Sequence, residues 1–210
     1  MGLISIGTIL GILIFLYSVI LHEISHGLMA NSLGDSTAKD MGRITLNPIR
    51  HLDFFGSIIL PLILVISQVG FIFGYAKPVP YNPDRLRDKK YGPAKVAFAG
   101  PASNLILGIL FGLILRLEPF IYISSTAQEL LKYAAVINIW LAIFNLFPIP
   151  PLDGHWLLMT FLPARFNGVK LFLYRYNIVL LFIFILFVTP LLGYFVNWFL
   201  YIVTGINLLV

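Results

Sequence analysis

Apolar residues along the chain fall into long blocks, at 3–30, 54–73, 96–116, 128–163 and 176–206, separated by short polar stretches. A bilayer core needs about 20 apolar residues at about 1.5 Å of rise each, so every block is long enough to be a membrane helix. The block 128–163 is interrupted by Phe147-Pro148-Ile149-Pro150-Pro151-Leu152-Asp153-Gly154. Proline has no N–H and breaks the helical ladder. Broken backbone at membrane depth is tolerated only where protein buries it or a polar cavity lines it, so the break points to a site near Asp153. The last block carries Pro190 and Gly193 near its middle and is either one kinked span or two short pieces. Residues 42–47 predict a short strand ending at Pro48, and the stretch 74–83, with Pro78, Pro80 and Pro83, predicts a loop. The first block has no Lys or Arg before it and runs straight into His22-Glu23, which predicts a retained helix and not a removable signal peptide.

Composition narrows the class. The 210 residues are 59% hydrophobic and 11% charged, with a mean hydropathy of +0.93. Soluble domains carry about 25% charged residues, so a water-soluble globule is excluded, and disorder fails on the same grounds. With no Cys there is no disulfide framework and no thiolate metal site or nucleophile. The predicted fold class is therefore an all-α polytopic membrane protein. It has four to six transmembrane helices, a short membrane-associated β-strand or hairpin and a re-entrant segment. Residues 1–210 form a single domain, because the polar stretches are too short to fold alone.

The net charge of +5 is explained by the cytoplasmic bias of Lys and Arg in membrane proteins, with no nucleic-acid partner required. Twelve of the 14 basic residues lie in 31–53, 74–95 and 164–175, leaving only Arg116 and Lys132 in the 116–132 connection. The bias places the first three loops in the cytoplasm and the fourth outside. A full crossing by 54–73 would put 31–53 and 74–95 on opposite sides. The expectation is therefore that 54–73 is re-entrant or shallow, turning near Pro61 or Gly70.

Of the nine acids, only Glu23 and Asp153 lie within long apolar runs. An ionisable group at membrane depth costs several kcal/mol and is a functional candidate by default. Glu23 belongs to His22-Glu23-Ile24-Ser25-His26, an H-E-x-x-H pattern on a helix. Two His four apart share a face about 6 Å along the axis and suit one Zn²⁺, with the offset Glu23 reaching a water on the metal. With four His and three Glu in the chain, composition alone would give this pattern in about one such chain per thousand. A catalytic zinc takes three protein ligands and keeps an open position. Asp153 is the natural third ligand, and His155 is a rival or a supporting partner. Asp153 could also cap the following helix. Depth agrees, since His26 lies 23 residues beyond Leu3 and Asp153 lies 25 beyond Gln128. Both then approach the cytoplasmic face, provided that 54–73 does not cross.

These motifs resemble the site-2 protease family of intramembrane zinc metalloproteases, in its compact prokaryotic subgroup without a PDZ domain. His22-Glu23-Ile24-Ser25-His26 resembles the family's first metal motif, and the run Asn145 to Gly154 resembles its second. Gly100-Pro101-Ala102-Ser103-Asn104 resembles the Gly-Pro-x-x-Asn of the intervening helix. Thr45-Leu46-Asn47-Pro48 and the stretch from Gly74 to Pro80 also look like that subgroup. The resemblance implies His22, His26 and Asp153 as ligands of one Zn²⁺ per chain and Glu23 as general base. It implies Asn145 as an orienting or oxyanion residue, with Asn104 a weaker candidate for the same work. It implies a transmembrane protein as substrate, regulated intramembrane proteolysis as the setting, and a prokaryotic inner membrane as the location, with the active site toward the cytoplasm. The predicted strand at 42–47 would offer an edge to an unwound substrate segment. The competing possibilities are a catalytically inactive membrane scaffold, which would tolerate loss of Glu23, and a metal transporter or di-iron oxidase. The oxidase would need many more His, and the transporter would need ligands continuing through the bilayer.

Overall fold

The computed structural model describes residues 6–59, 63, 66–67 and 76–206. Among the described residues, four helices are long and apolar enough to cross a membrane: α1 (Ile6–Ser32), α3 (Gly92–Arg116), α4 (Ser125–Asn145) and α7 (Asn177–Thr204). Short helices occupy the connections: α2 (Thr37–Asp40), α5 (Gly154–Phe161) and α6 (Asn167–Arg175). The sequence marks most of these ends. Pro93 opens α3, where a missing N–H costs nothing. Ser124 caps α4 by accepting from the Ala127 N–H at 3.4 Å. Gly205, at φ +77°, closes α7 in the left-handed conformation.

The last apolar block is one span. A π-type turn at Phe184–Val188 precedes Pro190, and the Thr189 hydroxyl donates to the Phe184 carbonyl at 3.2 Å. The wider turn absorbs the proline without ending the helix.

Helices α1, α3 and α4 pack as a trio, and α7 lies along α3 and α4. Ala135, Ile139, Val196 and Leu200, all fully buried, form the contact between α4 and α7. Glycine sets the spacing of α3. A Cβ at Gly108 would come within 2.6 Å of Ile139 on α4, and one at Gly112 within 2.7 Å of Val203 on α7. Small residues of this kind let membrane helices approach closely where no hydrophobic effect drives them together.

The two long basic loops share one end of the bundle. The Arg87 N–H donates to the Leu33 carbonyl at 2.8 Å, and the Asn82 N–H donates to Asp35 Oδ2 at 2.6 Å. The third basic stretch meets the same end through α5, whose Phe161 packs near Tyr91 and whose His155 packs near Tyr174. Arg116 marks the opposite end, donating to the Ile202 carbonyl at 2.7 Å. The charge parity read from the sequence thus holds for the described loops. The expected turn near Pro61 or Gly70 lies outside the described residues. Its flanks meet, because the Lys77 N–H donates to the His51 carbonyl at 2.8 Å.

One expectation is corrected. Residues 42–47 are not a strand, and no strand occurs among the described residues. Gly42 turns the chain at φ +62°. The Thr45 carbonyl, which a ladder would use, instead accepts from His51 Nε2 at 2.8 Å. One acceptor is taken by a side chain and a left-handed residue opens the segment, so 42–47 is irregular backbone and not a strand.

Candidate metal centre

His22 and His26 lie 10 and 6 residues before the Ser32 end of α1, so they sit about 15 and 9 Å inside it. Both rings are buried and face α3. Gly100 makes room for them. A Cβ there would collide with His26 Nε2, and it would sit 2.7 Å from His22 Cε1. Asp153 arrives from the proline break after α4. Gly154 lets that break fold tightly, since a Cβ at this position would meet the Leu146 carbonyl and come within 2.6 Å of the Phe147 oxygen. Asp153 occupies the position before α5, yet its carboxylate makes no capping bond. It turns to the imidazoles instead.

Asp153 Oδ2 lies 3.0 Å from His22 Nε2 and 3.3 Å from His26 Nε2, and the two Nε2 atoms are 3.0 Å apart. A tetrahedral ion with bonds of about 2.0–2.1 Å separates its ligands by about 3.3 Å. The triangle is one face of such a tetrahedron, contracted by a few tenths of an ångström, and the donor set of two imidazoles and one carboxylate suits zinc.

The far nitrogens fix which lone pairs point at the triangle. His22 Nδ1–H donates to Asn104 Oδ1 at 2.6 Å, and His26 Nδ1–H donates to the Val96 carbonyl at 2.7 Å. Both Nε2 atoms are thereby left as acceptors, the tautomer a metal needs. Asn104 is held in turn. Its Nδ2 donates to Asn138 Oδ1 at 2.8 Å and to the Ser18 carbonyl at 3.1 Å. Asn138 Nδ2 donates to Ser18 Oγ at 2.8 Å and to the Ala134 carbonyl at 2.9 Å. Every member of this relay is buried. Each amide has its nitrogen committed to acceptors, so its oxygen can only accept.

The structure thus brings together His22, His26 and Asp153, with Asn104 directly behind His22. Asn104 is fully buried, so its contact is with the imidazole. Glu23 lies on the same helix, and its Oε2 accepts from the Val79 N–H at 2.7 Å. Asn145, the last residue of α4, donates to the Leu141 carbonyl on its own helix at 3.0 Å. His155, the rival ligand, stays outside the triangle, donating from Nδ1 to the Leu152 carbonyl at 2.6 Å with its ring tilted against Trp156. Sequence inspection missed Ser18, Asn138 and the Val79 N–H. Asn138 alone had a usable signal, being an amide in the middle of an apolar span.

Comparison with known proteins decides the lineage. A model of peptidase family M50 matches residues 119–189, which include the Asn145 to Gly154 run. The Bacillus subtilis protein named "Putative zinc metalloprotease YwhC" is 36% identical over 193 residues, covering 89% of this chain and 83% of that protein. The chain belongs to peptidase family M50, the site-2 protease family. Other members of M50 are more distant. Rip2 of Mycolicibacterium smegmatis is 31% identical over 67% of this chain and 52% of its own length. Zinc metalloprotease MJ0392 of Methanocaldococcus jannaschii is 26% identical over 77% of this chain and 37% of its own. The chain thus spans most of the first relative and about half or less of the other two. No solved structure matches it.

Proposed function

We propose that this M50 member is a zinc-dependent intramembrane endopeptidase that hydrolyses peptide bonds within or near transmembrane segments of membrane-protein substrates. The observation that carries the proposal is the triangle of His22 Nε2, His26 Nε2 and Asp153 Oδ2, with sides of 3.0–3.3 Å. It is built on helices that are themselves long enough to span a bilayer. His22, His26 and Asp153 would hold one Zn²⁺. When bound, the ion supplies Lewis acidity, making a water acidic near neutral pH and polarising a scissile carbonyl.

The remaining work falls to the chain's own residues. Glu23 takes the proton of the attacking water and delivers it to the leaving amine. Its Oε2 is held by the Val79 N–H, which leaves Oε1 for that proton. Asn104 holds the His22 ring and keeps its proton on Nδ1. Asn145 orients the substrate backbone or steadies the developing oxyanion, swinging its amide away from Leu141 to do so. Trio packing and the buried relay exclude bulk water from one side of the site. The basic end of the bundle faces the cytoplasm of a prokaryotic inner membrane under the positive-inside rule, which sets the site toward that side with lipid around it.

The decisive experiment measures zinc content and cleavage of a model transmembrane substrate in detergent, for wild type and Glu23→Gln. The expected result is one zinc per chain in both proteins, with cleavage reduced by a factor of about 100 or more in the variant. Equal cleavage by both proteins would remove Glu23 from the chemistry. Zinc binding with no cleavage of any transmembrane substrate by wild type would favour an inactive scaffold.

A further inference from the structure

Residues 76–82 run beside α1 as an irregular strap. Val79 is buried against Gly27, where a Cβ would come within 2.9 Å of its side chain. Prolines at 78 and 80 remove every second N–H from the strap. Three of the donors that remain are tied down: Lys77 N–H to the His51 carbonyl, Val79 N–H to Glu23 Oε2 and Asn82 N–H to Asp35 Oδ2.

Arg43 lies on the other side of the strap and is only 5% exposed. Its Nη2 donates to the Lys77 carbonyl at 2.8 Å and to the Pro78 carbonyl at 3.3 Å. The Pro78 carbonyl and the Val79 N–H belong to one planar peptide unit and point in opposite directions. Arg43 therefore grips the oxygen edge of the same peptide whose hydrogen edge meets Glu23. A cation on the oxygen polarises the unit and strengthens its N–H as a donor, and the pair of contacts stops the peptide plane from rotating.

We infer that Arg43 is a positioning residue for the hydrolytic reaction, acting through the Pro78–Val79 peptide to hold the Glu23 carboxylate in place. This role rests on Glu23 as the general base. The hydrogen bonds of Arg43 go to the strap and to none of the metal ligands. Its loss should lower turnover while leaving zinc binding and substrate affinity in place.

The test combines kinetics with amide hydrogen exchange in detergent-solubilised full-length protein. In a fragment covering 76–82, Pro78 and Pro80 carry no amide, and overlapping fragments separate Val79 from Lys77, Tyr81 and Asn82. In Arg43→Met, exchange at Val79 is expected to speed up about tenfold or more. Turnover should fall about tenfold, with KM within about twofold of wild type and zinc content unchanged. Arg43→Lys should recover part of the turnover. Glu23→Ala should speed exchange at Val79. Val79→Pro, which deletes the N–H with Arg43 intact, should turn over about tenfold more slowly than Val79→Ala, which keeps it.

Unchanged protection and turnover in Arg43→Met would overturn the proposal. So would loss of zinc together with turnover, or equal turnover in the two Val79 variants. If wild type cleaves nothing while protection of Val79 still depends on Arg43 and Glu23, the proteolytic function falls and the clamp stands. Normal cleavage with protection indifferent to Arg43 sinks the clamp alone.

Discussion

Helices α3 and α7 both cross the bundle from end to end, yet they are built for different surroundings. Much more of α3 than of α7 is buried in protein. The more apolar of the two is α7, whose Leu186, Phe187 and Leu191 are about two-thirds exposed. In water the most apolar helix would sit at the centre. In lipid the order reverses, because hydrocarbon is as good a solvent for Leu and Phe as a protein interior. On α3 the face turned to the bundle is small or polar: Gly100, Asn104, Gly108 and Gly112 recur every four residues and face His22, Ile139 and Val203. The site sits where glycine and amides are, and the apolar surface marks only the lipid.

A matched pair of glycine substitutions puts this contrast under the greatest strain. Gly100→Ala places a methyl group against the His26 and His22 rings. It is expected to lower zinc affinity by about 100-fold or more, with cleavage lost in parallel. Gly193→Ala, on α7, meets only Trp140 at 3.7 Å and should change stability by less than about 1 kcal/mol. Zinc retained after dialysis and unfolding midpoints in detergent measure both. Equal effects would mean that α3 and α7 are not differently specialised.

The polar relay gives the next largest effect. Asn138 touches no metal ligand, but it fixes Asn104, which fixes His22. Asn138→Leu is expected to weaken zinc binding by about 10- to 100-fold, because Asn104 would be free to turn its amide nitrogen toward His22. Competition with a chelator of known affinity would report it. Zinc affinity within about twofold of wild type would show that the relay is a structural hydrogen-bond cluster with no hold on the ligand.

Packing alone sits below these. A methyl group at Gly108 would face both the Ile139 side chain at 2.6 Å and its backbone nitrogen at 3.1 Å, and backbone cannot step aside. Gly108→Ala should destabilise by about 1–3 kcal/mol. Leu191→Ala, on the lipid face of α7, should cost less than about 0.5 kcal/mol.

Much of the site was legible in the sequence because its cues are local or follow from cost. His22, Glu23 and His26 share one helical turn, and Asp153 is conspicuous as an acid beside a proline break in an apolar run. The common end of the two basic loops followed from counting charges. What escaped was long-range. Nothing near Arg43 in the chain says that it will reach Lys77 and Pro78. Nothing near Val79 says that its N–H will meet Glu23, since 56 residues separate them. The predicted strand at 42–47 failed for a related reason. Alternating residues describe a strand only if a neighbour pairs with it, and here His51 and a left-handed glycine claimed the segment first.

A loss somewhat smaller than that of Gly108→Ala is expected at the water-facing end, where the contrast between helices gives way to loops. Asp35 ties 33–37 to the strap, accepting from the Thr37 N–H and hydroxyl and from the Asn82 N–H. Burial pushes its pKa up, but the Thr37 and Asn82 hydrogen bonds and the nearby Arg85 charge outweigh burial and hold it below the ordinary carboxylate value. A group whose folded pKa is depressed stabilises the fold in its ionised form. That contribution is complete above the unfolded value near 4 and is lost as pH falls toward and through the folded one. Asp35→Asn should therefore lower the unfolding midpoint at pH 7, by an amount corresponding to about 1–2 kcal/mol. The gap from wild type should narrow steadily below pH 4. A gap that stayed constant down to pH 2 would mean that the carboxylate acts by shape alone. The strap would then be held by Arg43 and Val79, with no electrostatic share from Asp35.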